Sequence, residues 1–502
     1  MRLAPKQRIC FWLLLGLTIF TVVFREAGGV NLDGVEPVIL PTSTVAVVQS
    51  DRASAADIGY EELKAMIREA VELAGGFSDL IFDGATVVIK PNLVNWTDYT
   101  RPGWGGEPLP TEANGVTTDW RVTKAVVELV RELNPGGKVY IMEGSSVPTR
   151  LVMEKLKYTP EYIPGADAIL PIEEDSGKWK DYKSPGIVAV DLPDGLLHKK
   201  YYLNKKYKEA DVVISLPCLK NHWHAAVTGA IKNVGIGATP GNIYGNSSTS
   251  PGRNSMVDHN NRRGDLHMWI HDFYKCRPVD FVIMDGLQGI QNGPTPCYEV
   301  SRTKQLSKDQ MNMRLILAGR DAVAVDTVES LIMNWDPQSV KHLVFLNRSE
   351  LGNICPSAIS VKGIRVDEVR KDFAGVRPPA GGHPIKKMTT PAFAYNGYEV
   401  QEGQVVFFLV PEACIVKMEL CLNGDDRPEQ VITGDFHRVA VDLSRLSPGE
   451  NRITIHAYDR FFNRVAKTYL VQTKPHLGVY EVREDDRVVH QVKEDVYSEI
   501  QG

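Results

Sequence analysis

The sequence predicts an α/β domain built on a mainly parallel sheet with helices on both faces, followed by a C-terminal immunoglobulin-like β-sandwich. Three observations carry this prediction. Short runs rich in Val and Ile alternate with segments of helical spacing from about residue 42 to 370. Helical periodicity stops after Gly381, where short alternating runs take over. Between the two textures stands Arg377-Pro378-Pro379-Ala380-Gly381-Gly382, whose composition is that of a linker.

Taken in order, Val45 to Val48 reads as a strand, about Tyr60 to Ala74 as a helix and Ala85 to Lys90 as a second strand. Trp120 to Leu133 places apolar groups at helical spacing. Lys138 to Met142, Ala210 to Leu216, Phe281 to Asp285 and Met313 to Ala318 are further apolar runs, each closed by a Gly, Asp or Pro turn. Strands that alternate with helices form a parallel sheet covered on both faces, and ligands gather at the carboxyl ends of such strands. Past a linker at 371–389, Gln404 to Val410 and Arg452 to Asp459 alternate as sandwich strands within 390–474. The last stretch, 475–502, is polar and is expected to be a partly disordered tail.

A chain of 502 residues exceeds one minimal core. Its apolar fraction of 43% and charged fraction of 24% exclude a disordered or fibrous class, and a net charge of −5 gives no nucleic-acid footprint. Lys199, Lys200, Lys205, Lys206 and Lys208 cluster without a stacking motif, so a solvated face is the better reading. Arg2, Lys6 and Arg8 precede the apolar run Phe11 to Phe24, which ends at Arg25-Glu26. Fourteen residues fall short of the roughly 20 that span a bilayer. Residues 1–30 therefore read as a signal peptide or N-terminal membrane anchor, with an extracytoplasmic location and membrane association through that segment as expectations. Seven cysteines without a C-x-x-C spacing argue against an iron–sulfur cluster, and Cys414 with Cys421 is the expected disulfide.

Four strand ends carry polar clusters: Lys90-Pro91-Asn92-Leu93-Val94-Asn95, Glu143-Gly144-Ser145-Ser146, Leu216 to His224, and Asp285-Gly286 with Gly289 and Gly293. Each alone is better read as a turn or a cap, but in a parallel sheet all four fall on one edge. The third runs into Ala225 to Gly237, so Lys220, His222, His224, Thr228, Lys232 and Asn233 stand close together with three glycines. Lysines supply positive charge, glycines allow close backbone approach, and a neutral imidazole binds metal or moves protons. A tight glycine turn with satisfied core histidines is the bland alternative. The segment is not a phosphate-binding Walker loop, because Ile231 precedes Lys232. Farther on stand His259, Asp265, His267, His271 and Asp272, with His267 and His271 at i, i+4 on one helix face. His224, His267 and Asp285 are the candidate ligands of a divalent metal.

Val88-Ile89-Lys90-Pro91-Asn92-Leu93-Val94, Thr117-Thr118-Asp119, Ala210 to Pro217 with Lys220 and His222, and Val227 to Asn233 together resemble the domain of unknown function 362 family. Asp285-Gly286, Gly293-Pro294 and Ala318 to Asp326 continue the similarity in order, over roughly residues 42 to 370. More distantly, His222, Ala226, Thr228-Gly229 and Lys232 are similar to the segment of nickel-pincer lactate racemases where a histidine is acid/base and a lysine holds the cofactor. That resemblance implies a proton-handling His222 and an anchoring Lys232, whereas Glu143-Gly144 stands where those enzymes have a second catalytic histidine. The expected function is an enzyme on a small organic or phosphorylated anion, with His222, Lys232 and Glu143 catalytic and Lys90, Asn92, Lys220, Thr228 and Asn233 binding substrate. The alternative is a non-catalytic binding or envelope-scaffold protein.

Overall fold

The computed structural model describes residues 36–95, 111–173, 178–245, 265–294, 309–375 and 391–491, except 402, 413, 426, 475–477 and 485–486. The leader read at 1–30, the glycine- and proline-rich linker 377–382 and His259 lie outside the described residues. Among the described residues no helix is long and apolar enough to cross a membrane.

The first unit alternates strand and helix as its apolar runs predict. Its opening elements are β1 (Ser43–Gln49), α1 (Tyr60–Leu73), β2 (Thr86–Pro91), α2 (Trp120–Leu133), β3 (Lys138–Glu143), α3 (Thr149–Lys155) and β4 (Ala168–Pro171). A hairpin of β5 (Ile187–Asp191) and β6 (Lys200–Asn204) leads through the short α4 (Lys205–Glu209) to β7 (Val212–Leu216), β8 (Cys218–His222) and β9 (Ala226–Val227). Next come α5 (Gly229–Gly237), α6 (Gly241–Tyr244), α7 (Leu266–Cys276), β10 (Phe281–Ile290), β11 (Leu315–Gly319), α8 (Ala322–Ile332), α9 (Lys341–Arg348), β12 (Ile359–Gly363) and α10 (Val366–Val369). The sheet order is β12-β1-β11-β10-β7-β2-β3-β4, and β8 pairs with β10 beside β7. Every pair along it is parallel except those of β11, which runs antiparallel to β1 and β10.

Strand periodicity explains the unbroken apolar runs. Val45, Val47, Val88, Val213 and Val282 enter one apolar layer, while Ala46, Val48, Val87, Ile89, Ile214 and Ile283 enter the other. The second layer holds α1, α2 and α3, and the first holds α5, α7, α8 and α9. Helix starts follow local chemistry: Asp119 accepts the Arg121 N–H at 2.9 Å before α2, and Asp321 accepts that of Ala324 at 3.0 Å before α8.

The second unit is an antiparallel β-sandwich. One sheet is β13 (Phe393–Gln401), β14 (Gln404–Pro411) and β17 (Arg438–Asp442). The other begins with β15 (Ile415–Leu422), β16 (Gln430–Ile432), β18 (Gly449–Asp459) and β19 (Arg464–Lys474). It continues into β20 (Gly478–Glu484) and β21 (Arg487–Gln491), in the order β16-β15-β18-β19-β20-β21. Two strands thus stand inside the stretch expected to be a polar tail, and Val482 is fully buried among the sandwich core residues. The expected Cys414–Cys421 disulfide is not formed, and the Cys414 thiol is free. Cys414 directly precedes β15 and Cys421 lies near its far end, about 24 Å of extended chain apart, where a disulfide needs α-carbons within about 7 Å.

The sandwich docks through the turn between β18 and β19. Tyr458, Phe461 and Phe462 bury themselves in the apolar layer that includes α8. Asp459 shapes the turn by accepting the N–H groups of Phe461 at 2.8 Å and Asn463 at 2.9 Å. Arg370, just past α10, donates to the Phe461 carbonyl and to Asn463 Oδ1 at 2.6 Å.

Candidate functional site

Alternation along β2 sends Val87 and Ile89 toward α1 and α2, so Lys90 must enter the opposite layer, where α5 lies. There its Nζ donates to Glu143 Oε2 at 2.7 Å, the Pro91 carbonyl at 2.8 Å and Asn233 Oδ1 at 3.1 Å. Lys90 is fully buried and Glu143 nearly so. Glu143 also accepts the N–H of Leu93 at 3.1 Å on Oε2 and its neighbour Gly144 at 2.9 Å on Oε1. With both oxygens engaged, Glu143 is a charge partner and a scaffold for two strand ends. Gly237 closes the site, since a Cβ there would lie 2.6 Å from Lys90 Nζ.

Asn233 joins this pair to the next lysine. Its Oδ1 also accepts from Asn92 Nδ2 at 3.0 Å, and its amide donates to Ser215 Oγ at 3.1 Å. Asn92 Oδ1 accepts Lys220 Nζ at 2.7 Å, whose second acceptor is the Val116 carbonyl at 2.5 Å. Lys220 is fully buried between neutral oxygens, and that burial holds its ammonium below the usual lysine range. The carboxyl ends of β2, β3, β7 and β8 and the body of α5 therefore share one hydrogen-bonded network.

Helix α5 carries Lys232 and Asn233, but its N-cap residue Thr228 gives it no side-chain cap. Asp326 of α8 supplies the cap instead, accepting the N–H groups of Ala230 at 2.6 Å and Ile231 at 3.0 Å. Gly229 is required there, with φ at +52° and no room for a Cβ, which would stand 2.3 Å from Asp326 Cγ. One turn along α8, Glu329 Oε1 accepts the Lys220 N–H at 3.1 Å. Burial pushes both acids up, Glu329 well above the carboxylate range. The Thr228 hydroxyl and Glu329 Oε2 are buried and have no hydrogen-bond partner among the described residues.

His222 ends β8 and is fully buried. Its Nδ1 accepts the N–H groups of His224 at 3.1 Å and Ala225 at 3.3 Å, which fixes the proton of the neutral ring on Nε2. The chain then reverses through Ala226, held at φ +68° by pairing with His222. The His224 ring centroid is 6.0 Å from that of His222, and His224 is half-exposed.

The predicted metal ligands do not converge. Asp285 faces the start of α2, where its Oδ2 accepts the Asp119 N–H at 2.8 Å and its Oδ1 that of Leu287 at 3.1 Å. Burial, with the Asp119 charge behind it, pushes Asp285 up to about 7. The His267–His271 helix-face pair also separates. His271 lies between Asp272 Oδ1 at 2.8 Å and Ser349 Oγ at 2.8 Å, while His267 turns to His342 of α9, Nδ1 to Nδ1 at 3.0 Å. Among the described residues no three His, Cys, Asp or Glu side chains are arranged to hold a metal. The spacing places two residues on one face but does not set their rotamers, and here neighbouring elements do so.

His342 is the residue that sequence reasoning missed. It stands alone in an amphipathic helix, so nothing in the local pattern marks it. Asp326 and Glu329 gave a weak signal, as acids inside an otherwise apolar helix.

A thylakoid-associated protein of Synechocystis sp. is 29% identical over 280 residues, covering 55% of this chain and 72% of the relative. Among solved structures, the lactate racemase apoprotein from Thermoanaerobacterium thermosaccharolyticum matches at 14% identity and a TM-score of 0.29. That match covers 56% of this chain, which spans about half, 54%, of the racemase. The spore cortex lytic enzyme SleM of Clostridium perfringens matches at 8% identity and a TM-score of 0.17, over 82% of this chain and 76% of that one. Residues 87–330, which carry Lys90, Glu143, Lys220, His222 and Lys232 together, match the family described as Domain of unknown function (DUF362).

Proposed function

We propose that this chain is an enzyme acting on a small organic or phosphorylated anion held at the carboxyl ends of β2, β7 and β8. The observation that carries this reading is the buried Lys90-Glu143-Asn233-Asn92-Lys220 network. It sets the Lys220 ammonium between neutral acceptors, and the buried Thr228 hydroxyl has no hydrogen-bond partner among the described residues. A buried cation without an anion in hydrogen-bond contact is costly, and a bound carboxylate or phosphate offsets that cost. In this reading Lys220 and Thr228 bind the anion, Lys232 adds charge, and Asn92 and Asn233 orient the lysines. His222 moves a proton at Nε2. Residues 1–30 serve as a leader or anchor that delivers the chain outside the cytoplasm or to a membrane.

The test is titration calorimetry of the purified chain with inorganic phosphate and with a panel of small hydroxy- and oxo-carboxylates, repeated for Lys220→Met, Lys232→Ala and His222→Ala. Binding is expected to fall at least about tenfold in both lysine variants, roughly one charge-assisted hydrogen bond each. His222→Ala is expected to bind but not to turn over the ligand. Unchanged binding in both lysine variants refutes the site. N-terminal sequencing of material from an exporting host tests the leader.

A further inference from the structure

A second set of groups with nucleophile chemistry stands where α7 meets the C-terminal end of α9. Asp272 of α7 is fully buried, and donors fill both of its oxygens. Oδ1 accepts the Leu196 N–H at 2.7 Å, while Oδ2 accepts the N–H groups of Leu197 at 2.7 Å and His198 at 3.2 Å and the Tyr201 hydroxyl at 2.8 Å. The turn joining β5 to β6 thus wraps the carboxylate. Gly195 lets it do so, since a Cβ there would lie 2.1 Å from the His198 carbonyl oxygen and 3.1 Å from Asp272 Oδ2. Burial opposes ionisation, but the His271 bond and these backbone donors outweigh it and hold Asp272 below the usual carboxylate range. A carboxylate that only accepts settles the tautomer of its neighbour. His271 Nδ1 lies 2.8 Å from Asp272 Oδ1 and must carry the proton, which leaves Nε2 of the neutral ring as a lone pair. Ser349 Oγ is 2.8 Å from that Nε2, within reach for proton transfer. His271 is buried, whereas Ser349, the C-cap of α9, is half-buried and so reaches solvent. A serine could tie two helices through any acceptor; the carboxylate behind the ring adds basicity at Nε2, which deprotonating a hydroxyl requires.

We infer that Ser349 is a nucleophile with His271 as its general base and Asp272 as the positioning residue, and that it takes the acyl group of a small neutral ester. Oγ bonds to the ester carbonyl carbon as its proton passes to His271 Nε2. The C–O bond to the alcohol then breaks, and the alcohol leaves with that proton. Water follows the same route, giving the free acid and restoring the Ser349 hydroxyl. Phe345, edge-on to the imidazole with centroids 6.3 Å apart, and the exposed Leu196 on the turn that holds Asp272 favour an apolar acyl group. The Ser349 N–H is spent on the Phe345 and Leu346 carbonyls, at 3.0 and 3.1 Å, and does not serve the oxyanion. Turnover is therefore expected to be slow, and capture of the serine by an activated reagent is the sharper readout. This site goes beyond the small-anion reading and does not rest on it.

The full chain is treated with a fluorophosphonate, which loses fluoride to an activated serine, and separately with p-nitrophenyl acetate, and the labelled peptides are mapped by mass spectrometry. Ser349 is expected to react at least about 100-fold faster than the exposed Ser444 and Ser447, the scale of general-base assistance. His271→Gln is expected to bring Ser349 down to that reference rate, and release of p-nitrophenolate should fall with it and in Ser349→Ala. Long-range nitrogen–proton NMR on the chain labelled with 15N-histidine is expected to place the His271 proton on Nδ1. Asp272→Asn, which can turn its amide N–H to the ring, is expected to mix the tautomers and slow labelling. A serine no faster than the two references in the folded wild-type chain overturns the inference, and so does a His271 proton on Nε2. Both of those readouts need no variant. Labelling that survives His271→Gln with an unchanged circular dichroism spectrum overturns the assignment of the base.

Discussion

At the scale of single residues, the buried charges decide what the site tolerates. Lys90 and Glu143 neutralise each other out of water, so losing one leaves the other uncompensated. Lys90→Met is expected to cost about 3–5 kcal/mol in urea unfolding, and the double variant Lys90→Met with Glu143→Leu is expected to recover much of it. Asp285 gives a pH dependence of known sign. Its folded value is about 7 against a reference of 3.8, so between those values the folded chain holds a proton that the unfolded chain has released. Its contribution is therefore greatest below the lower value and falls as pH rises toward about 7, by up to about 1.4 kcal/mol per pH unit. Asp285→Asn should flatten that slope in denaturation series across the same window, with a constant offset for the backbone bond an amide cannot accept. For Lys220 the depressed ammonium has a binding consequence: phosphate affinity should weaken as pH rises, starting below the ordinary lysine value of about 10.

At the scale of elements, α5 is the part that brings the lysines and asparagines together, and it is held from outside itself. Its cap is Asp326, reached because Gly229 adopts a left-handed backbone conformation with no Cβ in the way. Gly229→Ala adds both strain and a clash, so a loss above about 1 kcal/mol is expected in chemical denaturation. Anion affinity should fall with it, because Asn233 and Lys232 ride on the displaced helix. Gly237→Ala is a sharper probe. Its Cβ would meet the flexible end of Lys90 and Glu143 Oε1 at 3.0 Å, so stability should change less than ligand affinity in paired unfolding and calorimetry measurements. The apolar rhythm made β2, β3, β7 and β10 legible in advance. The antiparallel run of β11 was not legible, because an apolar run that is buried on both faces carries no direction.

At the scale of the whole molecule, the sandwich is joined to the α/β unit by an aromatic tip and an arginine. Phe461 and Phe462 are buried beneath the same layer that houses α5 and α8, and Arg370 clamps their turn. Thermal unfolding of the intact chain is expected to show one transition. The double variant Phe461→Asp with Phe462→Asp, which places charge in that layer, should split it into two by calorimetry. A single unchanged transition in the variant would mean that the contact contributes little to coupling. The edge of the second sheet extends farther than composition suggested. Charged residues on β20 and β21 gave the stretch a polar average, while Val482 still found an inward-facing place in the register.

The sequence by itself determined the layered α/β architecture and the change to sandwich strands, because periodicity and turn residues act locally and recur in every element. It also placed Lys90, Asn92, Glu143 and Lys220 in polar clusters at strand ends, and Asn233 in the glycine-rich stretch that follows. The tertiary structure alone decided their partners. Glu143 answers Lys90, Asp285 turns to α2, and His267 meets His342 across 75 residues of chain. Those pairings depend on which helix lies over which strand end, a long-range packing outcome that neither spacing nor composition encodes.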